Sequence, residues 1–213
     1  MTQPRWAIVV PVKRLAAAKS RLRGALPGVP HEELALALAA DTVRAVRACP
    51  AVAEVLVVTD DTRVGAEARA AGARVVPDRP GAGLNAAFRH GAAAARAGWV
   101  AALTADLPAL RPAELAAALA AAREDPAART FVADAPGTGT VLLTAPPGVP
   151  LDPRFGVDSA AAHAASGARP LAGEWRSLRR DVDTAGDLAA AAALGLGPRT
   201  AALTAACAAG TPG

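Results

Sequence analysis

The feature that most constrains the fold of this chain is a repeated alternation. Short β-rich apolar runs, WAIVVPV at 6–12, EVLVVT at 54–59 and WVAALT at 99–104, are each followed by polar residues and then by a longer Ala-rich amphipathic segment. An apolar run of this length bounded by turn residues is a strand buried on both faces. Strands alternating with helices give a mostly parallel sheet with helices on both of its faces. The pattern predicts further strands at 73–76, 130–133, 140–144 and 178–182. Helices are expected at 31–49, 64–71, 84–97, 112–123, 158–166 and 185–194. No internal repeat or linker divides the chain, so 1–196 is expected to be one domain. The tail, 197–213, is rich in Ala, Gly and Thr without a core pattern, and is expected to be disordered.

Composition excludes several classes. The 213 residues hold three Trp, three Phe and no Tyr, so the core must be built from Ala, Val and Leu. The formal charge of +4 is spread as Arg along the whole length, with no basic run interleaved with aromatics. A nucleic-acid surface is therefore not expected. The two cysteines, Cys49 and Cys207, lie far apart and match no metal spacing. No signal-peptide pattern or membrane-length apolar stretch is present, which makes a cytoplasmic protein without a membrane association the expectation.

Parallel sheets of this kind bind ligands in the crevice beyond the carboxyl ends of their strands, so the loops after 12, 59 and 104 are where chemistry is to be sought. The first is basic, with Lys13, Arg14, Lys19, Ser20, Arg21 and Arg23. Its cations and N–H groups suit phosphate oxygens. Both lysines of the chain are here, against Arg everywhere else. The plainer alternative is a solvated basic loop. Asp106 ends a buried strand and can hold Mg²⁺ between phosphate oxygens, or serve as a turn or cap residue. Asp181 and Asp183, separated by one residue on the strand expected there, would point to the same side, and one or both could complete the metal site opened by Asp106. The alternative is that Asp183 or Thr184 caps the next helix. Gly137–Thr140 and 154–159 are Gly-containing turns able to bind phosphate or carboxylate, or ordinary turns and a cap. Residues 81–86 spell G-x-G-x-x-A, but Pro77, Asp78, Arg79 and Pro80 separate the first Gly from a very short strand, which a dinucleotide fingerprint does not permit. Cys49, His31, His90 and His163 form no triad or ligand spacing and are read as structural.

Taken in order, VPVKRLAAAKSRL, VVTDD, GLNAAFRHG, TADLPAL, GTGT, RFGVDSAAAHAASGA and DVDTAGDL resemble one family from about 6 to 195: the guanylyltransferases of coenzyme F(420) biosynthesis. The resemblance implies an α/β, single-domain, Rossmann-like (GT-A-like) nucleotidyltransferase fold similar to that of the molybdenum-cofactor guanylyltransferases. It implies GTP as donor and Mg²⁺ as cofactor. The acceptor would be phosphoenolpyruvate in bacterial members or 2-phospho-L-lactate in archaeal ones, and a downstream transferase would consume the product. Carried over residue by residue, Asp106 with Asp181 or Asp183 would hold Mg²⁺, and Thr140, Gly156 and Ser159 would hold the acceptor. Lys13, Lys19 and Arg21 would stabilise the leaving diphosphate, with Ser20 and Asn85 also at the nucleotide. Guanine would be read around 59–61 and 84–85. Family members usually carry D-V-D-T-P-E-D-L, where this chain has Ala185 and Gly186 before Asp187. The rival readings are a molybdopterin or sugar-phosphate nucleotidyltransferase, whose opening Gly-rich loop is missing here, and a non-catalytic dinucleotide-binding module.

Overall fold

The computed structural model describes residues 5–17, 22–79 and 81–209. These form a seven-stranded sheet in the order β3-β2-β1-β4-β6-β5-β7. The strands are β1 (Trp6–Pro11), β2 (Val52–Val58), β3 (Arg74–Val76), β4 (Trp99–Leu103), β5 (Thr130–Ala133), β6 (Thr140–Ala145) and β7 (Arg169–Pro170). The helices are α1 (His31–Ala48), α2 (Thr62–Ala70), α3 (Leu84–Ala93), α4 (Pro112–Ala122), α5 (Ser159–Ala165), α6 (Arg176–Arg179), α7 (Ala185–Leu194) and α8 (Pro198–Ala209). Strands β1 to β4 are parallel, β6 is antiparallel to both β4 and β5, and β7 is parallel to β5. Mostly parallel pairing with helical crossovers matches the expected α/β class.

Alternation along β1 sorts the core into two layers. Trp6, Ile8 and Val10 join residues of α1, α2 and α4 on one face. Ala7 and Val9 join Ala87 and Phe88 of α3, with Phe131 and Phe155, on the other. A third, smaller cluster joins Leu22, Leu34 and Leu38 to Ala109, Val182 and Leu188. It ties the segment after the basic loop to the segment holding Asp181 and Asp183. No helix among the described residues is long and apolar enough to cross a membrane.

Two expectations are corrected. The strand expected at 178–182 is not formed: α6 occupies Arg176–Arg179, and Asp181 and Asp183 follow in irregular chain. The cause is Glu114 of α4, whose Oε2 accepts from the N–H of Ser177 and Leu178 and from the Ser177 hydroxyl. It thereby satisfies N–H groups at the start of a helical turn that would otherwise be orphaned. The tail is not disordered over 198–209, because α8 packs along α1. Its first turn is held by the buried Asp41 carboxylate, which accepts from the N–H groups of Arg199 (3.1 Å) and Thr200 (2.7 Å). An anion at a helix N-terminus satisfies these donors and matches the helix dipole. Sequence pattern misses the interaction because the anchor is a carboxylate about 160 residues away rather than an apolar stripe.

Candidate active site

Strand direction decides what reaches the crevice. The carboxyl ends of β1, β2, β4 and β5 share one edge, and β6, running the other way, brings its first residue there. Ala133, the last residue of β5, is paired with Thr140, the first of β6. The single reversed strand thus places Thr140 on the same edge as the residues that follow Leu103 and Ala133.

A cavity of about 280 Å³ opens between the ends of β1 and β4, lined by Lys13, Leu15, Leu38, Leu84, Thr104 and Asp106 among others. Lys13 is exposed at its edge. Lys19, Ser20 and Arg21, the rest of the expected phosphate-binding set, lie outside the described residues. A larger hollow of about 840 Å³ lies at the opposite end of the strands, beside Val100 and Ala145, away from the site residues described here.

The carboxylates gather next to this cavity. The N–H of Val182 donates to the Asp106 carbonyl at 3.0 Å, which brings Asp181 and Asp183 beside Asp106 without a strand between them. Burial pushes the Asp181 carboxyl up to about 7, with the negative charges of Asp106, Asp134 and Asp183 adding to the shift. Asp134 was not singled out from sequence. Its signal was present all the same, since it follows the end of β5 as Asp106 follows β4. The four acids are a hard oxygen donor set of the kind Mg²⁺ takes, and their mutual repulsion is what a divalent cation relieves. Among the described residues no three His, Cys, Asp or Glu side chains are arranged to hold an ion as they stand.

Helix α7 resolves the capping question. Thr184 is its N-cap, accepting from the Asp187 N–H, while the Asp187 carboxylate accepts from the N–H groups of Asp183 and Thr184. This capping box uses residues 184 and 187, so the family's missing acid at 186 is not needed for it.

The third group surrounds the acceptor residues expected from the resemblance. Gly156 has φ of +145°, in a region that favours glycine. Ser159 opens α5 and is 2 % exposed. The N–H of Ala160 donates to Thr138 O, joining α5 to the GTGT turn. Asn85, expected at the nucleotide, has its amide engaged elsewhere: Oδ1 accepts from Phe155 N–H at 2.8 Å and Nδ2 donates to Phe155 O at 2.9 Å. It therefore clamps the 154–156 loop. The segment 59–61, expected at guanine, is likewise engaged locally. Asp61 accepts from Leu15 N–H and from the first N–H groups of α2. Burial opposes its ionisation, but the N–H groups of Leu15, Val64 and Arg63 outweigh burial and hold the carboxyl below its ordinary value.

The profile of the MobA-like NTP transferase domain matches residues 20–191. A phosphoenolpyruvate guanylyltransferase of Salinispora arenicola is 75 % identical over 203 residues, covering 95 % of this chain and 94 % of the relative. One of Thermomonospora curvata is 60 % identical over 213 residues, covering 98 % and 92 %. Among solved structures, one described as a nucleotide-diphospho-sugar transferase from Desulfovibrio desulfuricans superposes with a TM-score of 0.69 over 96 % of this chain and 95 % of its own. At 14 % identity this is a likeness of fold. With site residues gathered at one sheet edge and identity running nearly end to end, the chain belongs to the phosphoenolpyruvate guanylyltransferase family, within the MobA-like NTP transferases.

Proposed function

We propose that this protein transfers GMP from GTP to phosphoenolpyruvate, releasing diphosphate, as a cytoplasmic step of coenzyme F(420) biosynthesis. 2-Phospho-L-lactate is the alternative acceptor, and a downstream transferase takes the product. The observation that carries the reading is the junction at Asp106, which lines the cavity beside Lys13 and bonds through its carbonyl to Val182, between Asp181 and Asp183. An opening of about 280 Å³, a cation and a cluster of acids meet there.

In the reaction, an oxygen of the acceptor's phosphate attacks the α-phosphorus of GTP. The new P–O bond forms as the bond to the bridging oxygen breaks, and diphosphate leaves. The attacking phosphate is already anionic at neutral pH, so no general base is required and catalysis is positioning and charge neutralisation. Lys13 binds phosphate oxygens at the cavity edge as a compact point charge. Lys19 and Arg21 stabilise the leaving diphosphate, with Ser20 also at the nucleotide. Thr140, Gly156 and Ser159 hold the acceptor. Mg²⁺, held by Asp106 with Asp181 or Asp183, would supply neutralisation between the phosphate oxygens.

The test is diphosphate release with GTP or ATP, with either acceptor, and with or without EDTA. Release with GTP and phosphoenolpyruvate, lost in EDTA, is expected. Release with neither acceptor from protein that binds GTP would return the reading to the related nucleotidyltransferases. Failure to bind GTP would end it.

A further inference from the structure

His163 was read from sequence as structural, and it is fully buried. Its two ring nitrogens have different partners. Nε2 lies 2.9 Å from the backbone nitrogen of Arg154, and Nδ1 lies 2.9 Å from the Thr140 hydroxyl. A backbone N–H can only donate, so Nε2 must present its lone pair. Burial holds the imidazole down to about 4, and the ring is neutral at physiological pH. A neutral ring with a bare Nε2 carries its proton on Nδ1. The Thr140 oxygen therefore accepts from this N–H, which it shares with the Ser159 backbone at the start of α5. No described residue accepts the hydroxyl's own hydrogen, leaving it to donate outward.

We infer that His163 is a positioning residue for the acceptor, fixing the polarity of the Thr140 hydroxyl so that it donates to a phosphate or carboxylate oxygen and, through Arg154 N–H, fixing the loop that carries Gly156. The inference rests on the reading above that Thr140 and Gly156 face the acceptor. A free threonine hydroxyl rotates and can turn a lone pair toward an anion. One that accepts from an imidazole N–H cannot spend its hydrogen on the ring, so that hydrogen is left for the oxygens of an anionic acceptor, which only accept. The ring is itself held in place: Phe155 meets it edge-on at 5.1 Å and Phe131 lies at 5.9 Å, while Phe155 stacks on Phe88 at 4.4 Å. His163 also lies on α5, which Ser159 opens, so one side chain links all three acceptor residues.

Two measurements test this. Long-range ¹⁵N correlation spectra of the histidine-labelled protein should show Nδ1 protonated and Nε2 bare at pH 7. An Nε2–H ring, or rapid averaging of the two forms, overturns the inference. Kinetics of diphosphate release should show acceptor KM raised about 10- to 100-fold in both Thr140→Val and His163→Phe, as for one lost hydrogen bond to a charged ligand. The KM for GTP should stay within about twofold, and the double variant should be no worse than His163→Phe alone. If Thr140→Val leaves the acceptor KM unchanged, Thr140 leaves the acceptor site and the underlying reading fails with it. If Thr140→Val raises it and folded His163→Phe does not, only the role of His163 falls. Should His163→Phe fail to fold, the spectra of the unaltered protein decide.

Discussion

Burial acts on Asp181 and His163 in opposite directions. In the folded protein Asp181 titrates near 7, against an ordinary value of 3.8. Between those limits the fold keeps a proton that the unfolded chain has released, so stability falls as pH rises. His163 titrates near 4 against 6.5, with Arg129, Arg154 and Asp152 as the charged groups around it. Here the unfolded chain holds a proton that the fold excludes, and stability rises with pH from about 4 to 6.5. The two slopes oppose each other in the unaltered protein. Asp181→Asn is expected to steepen the rise from pH 4 to 6.5. It should also stabilise the protein at pH 8 in EDTA by roughly 1–2 kcal/mol, below the ~1.4 kcal/mol per pK unit of a dry site because Asp181 keeps some water. His163→Phe should remove the rise. Urea unfolding across the pH range reads both, and an unchanged value at pH 8 in Asp181→Asn would contradict the first. Asp106→Ala is expected to abolish diphosphate release while thermal unfolding stays cooperative. Wild-type turnover would remove Asp106 from the mechanism.

At the scale of elements, α3 sits unusually close to the sheet. A Cβ on Gly91 would lie 2.3 Å from Val9 Cγ1 and 2.8 Å from Val58 Cγ2, so the helix touches β1 and β2 through bare backbone. Gly91→Ala must push α3 outward or displace both valines, at about 1–3 kcal/mol. Because α3 also carries the Asn85 clamp on Phe155, the acceptor KM should rise along with the loss of stability. Val9→Ala in the same chain should recover part of each, and the absence of any recovery would place the damage elsewhere. At α7 the capping box predicts a milder effect: Thr184→Ala should cost about 1 kcal/mol in denaturant melts.

For the whole molecule, α8 completes a surface that the sheet alone does not need. Its anchor is a carboxylate that is itself buried, Asp41, 3 % exposed. Gly197, just before the helix, passes so near that a Cβ there would lie 2.5 Å from the Asp41 carboxyl carbon. Asp41→Ala removes the acceptor of two N–H groups at the start of α8. The expected cost is about 2–3 kcal/mol, or roughly 4–10 °C in Tm for a chain of this size. Limited proteolysis should then cut near 197 before the domain unfolds; unchanged protection would mean that other contacts hold α8 in place.

The sequence by itself determined β1 to β6, but not β7, and it implied a strand at 178–182 that is not formed. Period and length of apolar runs are local properties, and β1, β2 and β4 are buried enough on both faces to write them plainly. Asp106 was named because it ends the apolar run that forms β4, whereas Asp181 and Asp183 were placed on a strand that is not formed and come beside Asp106 through the Val182 N–H to Asp106 carbonyl bond instead. Only the tertiary structure decided what each residue faces. The reversal of β6 brings Thr140 to the crevice, and no local pattern encodes which way a strand will run in a mixed sheet. Asp134 joins the other acids through the same pairing. Asn85 and Phe155 meet across a sequence separation of 70 residues, and Asp41 meets Thr200 across 159. His163 read as a core histidine because its chemistry lies in two partners, Thr140 and Arg154, that only folding brings to opposite sides of one ring.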